Sequence, residues 1–194
     1  MASSNTPGRG HVLESLDQPV RLRNLAGIIG YSFLTISFLA RLPMSMTIVG
    51  VITFISVERG SIAEAGLAAA VTGICAGAGG LLLGTLVDRF GQRSALLVVA
   101  LVHPSALLLL VLLGQGRVSM ATVLVLCMVV GLTSPHVGPL TRMRWITLLD
   151  STGRRGARQV NTVLSYEGTM DEIAFVAGPA VAGALALAFG PGAP

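Results

Sequence analysis

Apolar residues in this chain fall into five long blocks, and charges and turn formers collect in the short segments between them. The blocks cover 25–57, 62–86, 94–113, 119–141 and 163–189. Each reaches the roughly 20 residues that an α-helix needs to cross a bilayer's hydrocarbon core. Between Arg23 and Glu58 the only charge is Arg41. The pattern predicts an all-α polytopic membrane protein: a tail over 1–24, a bundle of five transmembrane helices over 25–189, and a short end over 190–194. The connections are too short to hold a soluble domain. The first block far exceeds the roughly 7–15 apolar residues of a secretory signal, and no small-residue cleavage site follows it, so it is expected to stay attached.

Composition sharpens this reading. Of 194 residues, 53% are apolar and 11% charged, where a soluble domain carries about 25% charged residues. All 13 basic residues are Arg. Ten of them lie in the tail (Arg9, Arg21, Arg23), in the second connection (Arg89, Arg93) and in the fourth (Arg142, Arg144, Arg154, Arg155, Arg158). Only Arg59 and Arg117 fall on the other side. Because cytoplasmic loops retain Arg, the N-terminus is expected in the cytoplasm of a plasma-membrane protein and residues 190–194 outside. The Arg residues thus follow topology, and no nucleic-acid partner is expected. Around Arg142 and Arg144, the stretch 142–149 mixes charge with Trp145, Ile146, Leu148 and Leu149, as in an amphipathic segment at the inner headgroup layer. Cys75 and Cys127 sit inside apolar runs, so they read as small core residues with neither disulfide nor metal spacing. No nucleophile–base pair or phosphate-cradling loop is present. Neither an enzyme nor a cofactor or metal site is expected.

The most specific segment is Gly84-Thr85-Leu86-Val87-Asp88-Arg89-Phe90-Gly91-Gln92-Arg93. It packs one acid and two bases into the turn between the second and third spans. Gly84 and Gly91 let the backbone turn or approach where a side chain would clash, and Asp88 can accept hydrogen bonds from a helix N-terminus or pair with Arg. A charged turn that only sets topology explains part of the pattern. The whole of it resembles the loop between the second and third helices of major facilitator superfamily transporters, with Gln92 where the family has the first base of a closing pair. The resemblance implies that Gly84, Asp88, Arg89, Gly91 and Arg93 form a gating latch.

Two further segments bear on the resemblance. In the second span, Gly73, Gly77, Gly80 and Gly84, with Ala69 and Ala76, recur at three- or four-residue steps and form a small-residue face for a neighbouring helix. In the fifth span, Gly178-Pro179-Ala180-Val181-Ala182-Gly183 is similar to the signature in the fifth helix of the superfamily's drug/proton antiporters, where Gly178, Pro179 and Gly183 would shape a bend. The resemblance covers about 25–189 and maps the chain onto the N-terminal half of a twelve-helix transporter. It implies alternating access, export of a small molecule of the multidrug-efflux type, and proton coupling. The fourth span, however, lacks the embedded Arg of the antiporters.

Ionisable groups inside the spans are the candidates for substrate or ion contact, since a charge in hydrocarbon costs about 2.5–3.5 kcal/mol even on the lenient scale. Arg41 is either a cavity-lining cation beside Pro43 or a shallow residue that snorkels to the interface. Glu167, Asp171 and Glu172 open the fifth span. The spacing favours the inner surface for Glu167; the resemblance, in which the first and fifth helices both line the central cavity, implies Asp171 and Glu172 as partners for Arg41 and as substrate or coupling groups. His103, before Pro104, reads as a hydrogen-bonded filler at a kink. His136, between Pro135 and Pro139, is a further coupling candidate, and the prolines around it should break the fourth helix. The expected partners are the lipid bilayer, a small-molecule substrate, and a second half-transporter or a second copy of the chain. The competing class is a membrane subunit that pairs with another polypeptide and transports nothing itself.

Overall fold

The computed structural model describes residues 31–115, 118–151 and 157–194, with side-chain environments for 34–115, 118–151 and 160–194. The described residues are helical and include no strand. The helices are α1 (Tyr31–Leu39), α2 (Leu42–Arg59), α3 (Ile62–Phe90), α4 (Gln92–Gly114), α5 (Met120–Leu132), α6 (Val137–Ser151) and α7 (Ala157–Phe189). Five stretches are long and apolar enough to cross a membrane: Leu34–Arg59, Ile62–Phe90, Gln92–Gly114, Met120–Ser151 and Val160–Phe189. Among the described residues, the all-α character therefore holds, with five helical stretches that fit a multi-span architecture by length and composition. The tail arginines Arg9, Arg21 and Arg23, residues 25–30 of the first expected span, and Arg117, Arg154 and Arg155 lie outside the described residues.

Helix ends follow local chemistry. Pro43, in the first turn of α2, has no N–H to donate to the carbonyl of Leu39, so α1 and α2 are separated by a turn at Ala40 and Arg41. The α3–α4 turn is reduced to one residue. Gly91, at φ 81° and ψ 151°, closes α3 by donating its N–H to Val87 O across 2.9 Å. Both helices thus run further into the Asp88–Arg93 segment than the apolar pattern alone suggests. On the opposite side, Gly60 takes φ 63°, Ser61 caps α3 by accepting from the N–H of Glu64, and Arg59 pairs with Glu64 while donating to Val118 O.

Two compact units make up the fold. The larger comprises 39–137 with 172–194. Its core is Val51, Phe54 and Ile55 of α2, Ala65 and Ala68 of α3, Ala106 and Leu110 of α4, and Val123, Cys127 and Val130 of α5. Small residues matter here because helices in lipid associate through close packing and not through expulsion of water. The tightest crossing joins α3 and α5: a Cβ on Gly79 would collide with the backbone of Leu132, and one on Gly131 with Thr72 O. The close approach is therefore at Gly79, Ala76 and Thr72; of the expected face, Ala76 takes part and Gly80 packs against His136. Gly77 and Gly84 have open space around them, and Gly73 meets only Ile48. Residues 190–194 fold back, with Gly192 against Phe54 and Val111 and Pro194 against Gly50.

The smaller unit comprises described residues 31–38 and 138–171. Trp145 and Leu149 of α6 and Val163 of α7 are buried, with Leu34, Val160 and Tyr166 packed around them. On α6 the buried stripe is Thr141, Trp145 and Leu149, enclosed by protein, while Arg142, Met143 and Arg144 of the expected amphipathic segment 142–149 are exposed. In the larger unit, Ile74, Leu81, Leu101, Val176 and Leu187 are at least two-thirds exposed. An outer surface of this kind belongs in hydrocarbon, where it needs no further partner.

Candidate functional site

The densest polar cluster in the described residues is a seam between α6 and α7 within the smaller unit. Thr141 and Trp145 lie four residues apart on α6, and Glu167 and Asp171 four apart on α7, so each pair occupies one helical face. Trp145 Nε1 donates to Glu167 Oε1 across 2.7 Å, and Thr141 Oγ1 donates to Glu167 Oε2 across 2.5 Å. Thr141 Oγ1 also lies 2.9 Å from Gly138 O, so its single proton serves two acceptors. One turn further along α7, Arg142 Nη2 donates to Asp171 Oδ2 across 3.1 Å. A Cβ on Gly138 would stand 3.5 Å from that carboxylate.

Burial separates the two acids. Glu167 is 0% exposed, whereas the Asp171 and Arg142 side chains are 28% and 44% exposed. An enclosed carboxylate is tolerated only where donors replace its hydration. Trp145 and Thr141 are two such donors. The Tyr166 ring stands edge-on to Trp145 with centroids 6.2 Å apart, which fixes the indole from its other side. The sequence reading placed Glu167 at the inner surface facing the Arg-rich fourth connection; the fold encloses its side chain in protein against α6 of that connection. Trp145 was the available signal: it sits four residues from Thr141 in a segment that also carries Arg142.

The other expected residues are distributed as follows. Arg41 is 6% exposed, at the turn before α2. Glu172 is exposed on α7. His136 sits in the break between α5 and α6 with Nδ1 2.9 Å from Ser134 O, and its ring lies against Gly80. His103 is buried on α4, with Nδ1 3.2 Å from Val130 O, and its Nε2 has no hydrogen-bond partner among the described residues.

In the loop motif, Asp88, Arg89, Gly91 and Arg93 are exposed, and the Arg89 guanidinium lies 5.6 Å from the centroid of the Phe90 ring. Of the fifth-span motif, Gly178 is a contact point: a Cβ there would strike Ser45 of α2. Pro179 lies inside a continuous α7, and Gly183 has open space. No group of His, Cys, Asp and Glu that could hold a metal ion occurs among the described residues. Compared with family models, curated proteins and solved structures, the chain matches none.

Proposed function

We propose that the chain moves a small molecule across the plasma membrane by alternating access, as a secondary transporter of the efflux type. The observation that carries this reading is the fully enclosed Glu167, with the Arg142–Asp171 pair one turn away, inside helices apolar enough to span a bilayer. Ionisable groups in such helices are expensive and by default mark a path for solute or ion. The Gly84–Arg93 and Gly178–Gly183 segments support the same reading through their resemblance to major facilitator transporters. The N-terminus is assigned to the cytoplasm from the Arg distribution. Coupling to protons is carried by the α7 carboxylates, Glu172 among them, and by His136, with Arg41 as a fixed positive charge.

The experiment is reconstitution of the chain in lipid vesicles with an imposed proton gradient, using ethidium as the transported probe. Gradient-dependent ethidium movement that falls at least tenfold in Glu167→Gln supports the proposal. Vesicles that move no ethidium under any gradient exclude independent transport.

A second reading has its own observation. Gly66, Gly77 and Gly84 of α3 have no atoms within 4 Å of where a Cβ would stand, an uncovered small-residue face on which another membrane helix could pack. A non-transporting subunit that pairs with another polypeptide would use that face, and co-purification of such a polypeptide with an inactive chain favours it.

A further inference from the structure

Within the larger unit, residues 190–194 leave the end of α7 and return alongside α2 and α4. Gly190, at φ 102°, makes the reversal that an L side chain would resist, and its N–H donates to Ala186 O across 3.0 Å. Ala193 N–H closes the turn onto Gly190 O at 3.1 Å. The segment then lies over a slot walled by Thr47, Val51 and Phe54 of α2 and by Leu107, Leu110 and Val111 of α4. A Cβ on Gly192 would stand 3.0 Å from Val111 Cγ1 and 3.6 Å from the Phe54 ring, and one on Gly50 would stand 3.3 Å from Pro194 Cβ. The void that remains beneath the segment is about 30 Å³ and almost wholly apolar, and apolar voids stay dry.

We infer that residues 190–194 are a re-entrant plug that keeps phospholipid acyl chains out of the slot between α2 and α4, and that the slot takes an acyl chain when the plug withdraws. The inference goes beyond the transport reading and does not depend on it. Three observations carry it. Gly50, which meets Pro194, lies about 13 Å along α2 from its end at Arg59, and non-helical backbone at such a depth is tolerated only where protein encloses it. The segment suits that place, since Pro191 and Pro194 have no N–H and the N–H groups of Gly190 and Ala193 are bonded within the turn. Among the described residues no hydrogen bond joins it to α2 or α4, so it is seated by apolar contact and can withdraw without stranding a polar partner there. The lining and the depth name the occupant. The slot's one hydroxyl, on Thr47, already donates to Pro43 O across 2.7 Å, which leaves a charged solute no counter-charge and a polar one no free donor. Acyl chains are the medium at this depth and match an aliphatic and aromatic wall.

The test has two arms. In a chain freed of Cys75 and Cys127, Gly50→Cys/Pro194→Cys should form a disulfide on mild oxidation, because the 3.3 Å between the two Cβ positions is close to the ~3.5–4.5 Å that a disulfide spans. Failure to form it shows that the plug is not seated and overturns the inference. The second arm places the chain in nanodiscs of phosphatidylcholine carrying a photoactivatable diazirine on one acyl chain. Adducts at Leu107 and Val111 are counted by mass spectrometry against those at Leu108 and Leu112, exposed on the same helix. Gly192→Leu, whose side chain would collide with Val111 and Phe54, should raise that ratio at least fivefold, and the cross-linked chain should keep it at the parent value. Deletion of residues 190–194 is the second variant, used if leucine prevents folding. An unchanged ratio in the variant that folds overturns the inference and assigns the segment to ordinary core packing. A parent chain labelled as heavily at Val111 as at Leu112 overturns it as well, because the slot then already admits lipid.

Discussion

Trp145 and Glu167 are joined by an indole N–H that points at a carboxylate oxygen 2.7 Å away, and the two residues are 1% and 0% exposed. They come from different helices, 22 positions apart, so this contact pins α6 to α7. Removing the acceptor strands the indole N–H and the Thr141 hydroxyl in an enclosed site. Glu167→Ala should therefore lower stability by about 2 kcal/mol, and Trp145→Phe by about 1 kcal/mol. Thermal unfolding in detergent measures both. A double-mutant cycle should return a coupling of about 0.5–1.7 kcal/mol, and a coupling of zero would show that the hydrogen bond contributes nothing.

The α3–α5 crossing makes a sharper contrast, because glycines on a single helix should behave oppositely. Gly79→Ala drives a methyl group into the Leu132 backbone and should cost about 1–3 kcal/mol. Gly77→Ala places the same methyl group in open space and should stabilise the helix by about 0.4–1 kcal/mol. Melting temperatures of the two variants, measured side by side, decide it. Equal shifts would mean that the crossing is misassigned.

His103 is expected to respond in an unusual direction. Its Nδ1 is hydrogen-bonded to Val130 O, while its buried Nε2 has no partner among the described residues. His103→Leu gives up one bond worth about 1 kcal/mol and removes an unsatisfied polar atom that costs about 1–3 kcal/mol. The variant should unfold at the same temperature as the parent chain or slightly above it. A fall of more than about 2 kcal/mol would show that Nε2 has a partner in the membrane.

Topology is open to direct labelling. In a chain freed of Cys75 and Cys127, Arg93→Cys should react with an impermeant maleimide only after the cells are permeabilised. Ile62→Cys, at a position 85% exposed beside the α2–α3 turn, should react in intact cells. The reverse pattern would invert the orientation read from the Arg distribution.

Much of the architecture was legible because the signals that set it are local. The apolar blocks announce the membrane-spanning helices, since a helix of given length either crosses the hydrocarbon core or does not. Pro43 breaks the first span by lacking a donor, the segment around Pro135 breaks the fourth at Thr133–His136, and Gly91 closes the second at a positive φ. Each of these follows from one residue's own covalent chemistry.

The candidate site was less legible. The acids of α7 could be identified but not their partners, and the partner expected for Asp171, Arg41, was argued from a resemblance. The observed pairing with Arg142 comes from the register between α6 and α7. Likewise, glycine spacing on α3 identified a small-residue helix but not the rotation that turns Gly79 inward and leaves Gly77 and Gly84 open.

The amino-acid order by itself determined that this chain forms apolar helices of membrane-spanning length, where they break, and which few side chains are ionisable. Only the tertiary structure decided that Glu167 is enclosed and that Trp145 and Thr141 replace its water. The reason is dimensional: span length and helix breaks are properties of position along one chain. Contacts depend on how each helix is rotated and staggered against its neighbours, and that is settled by packing many side chains at once.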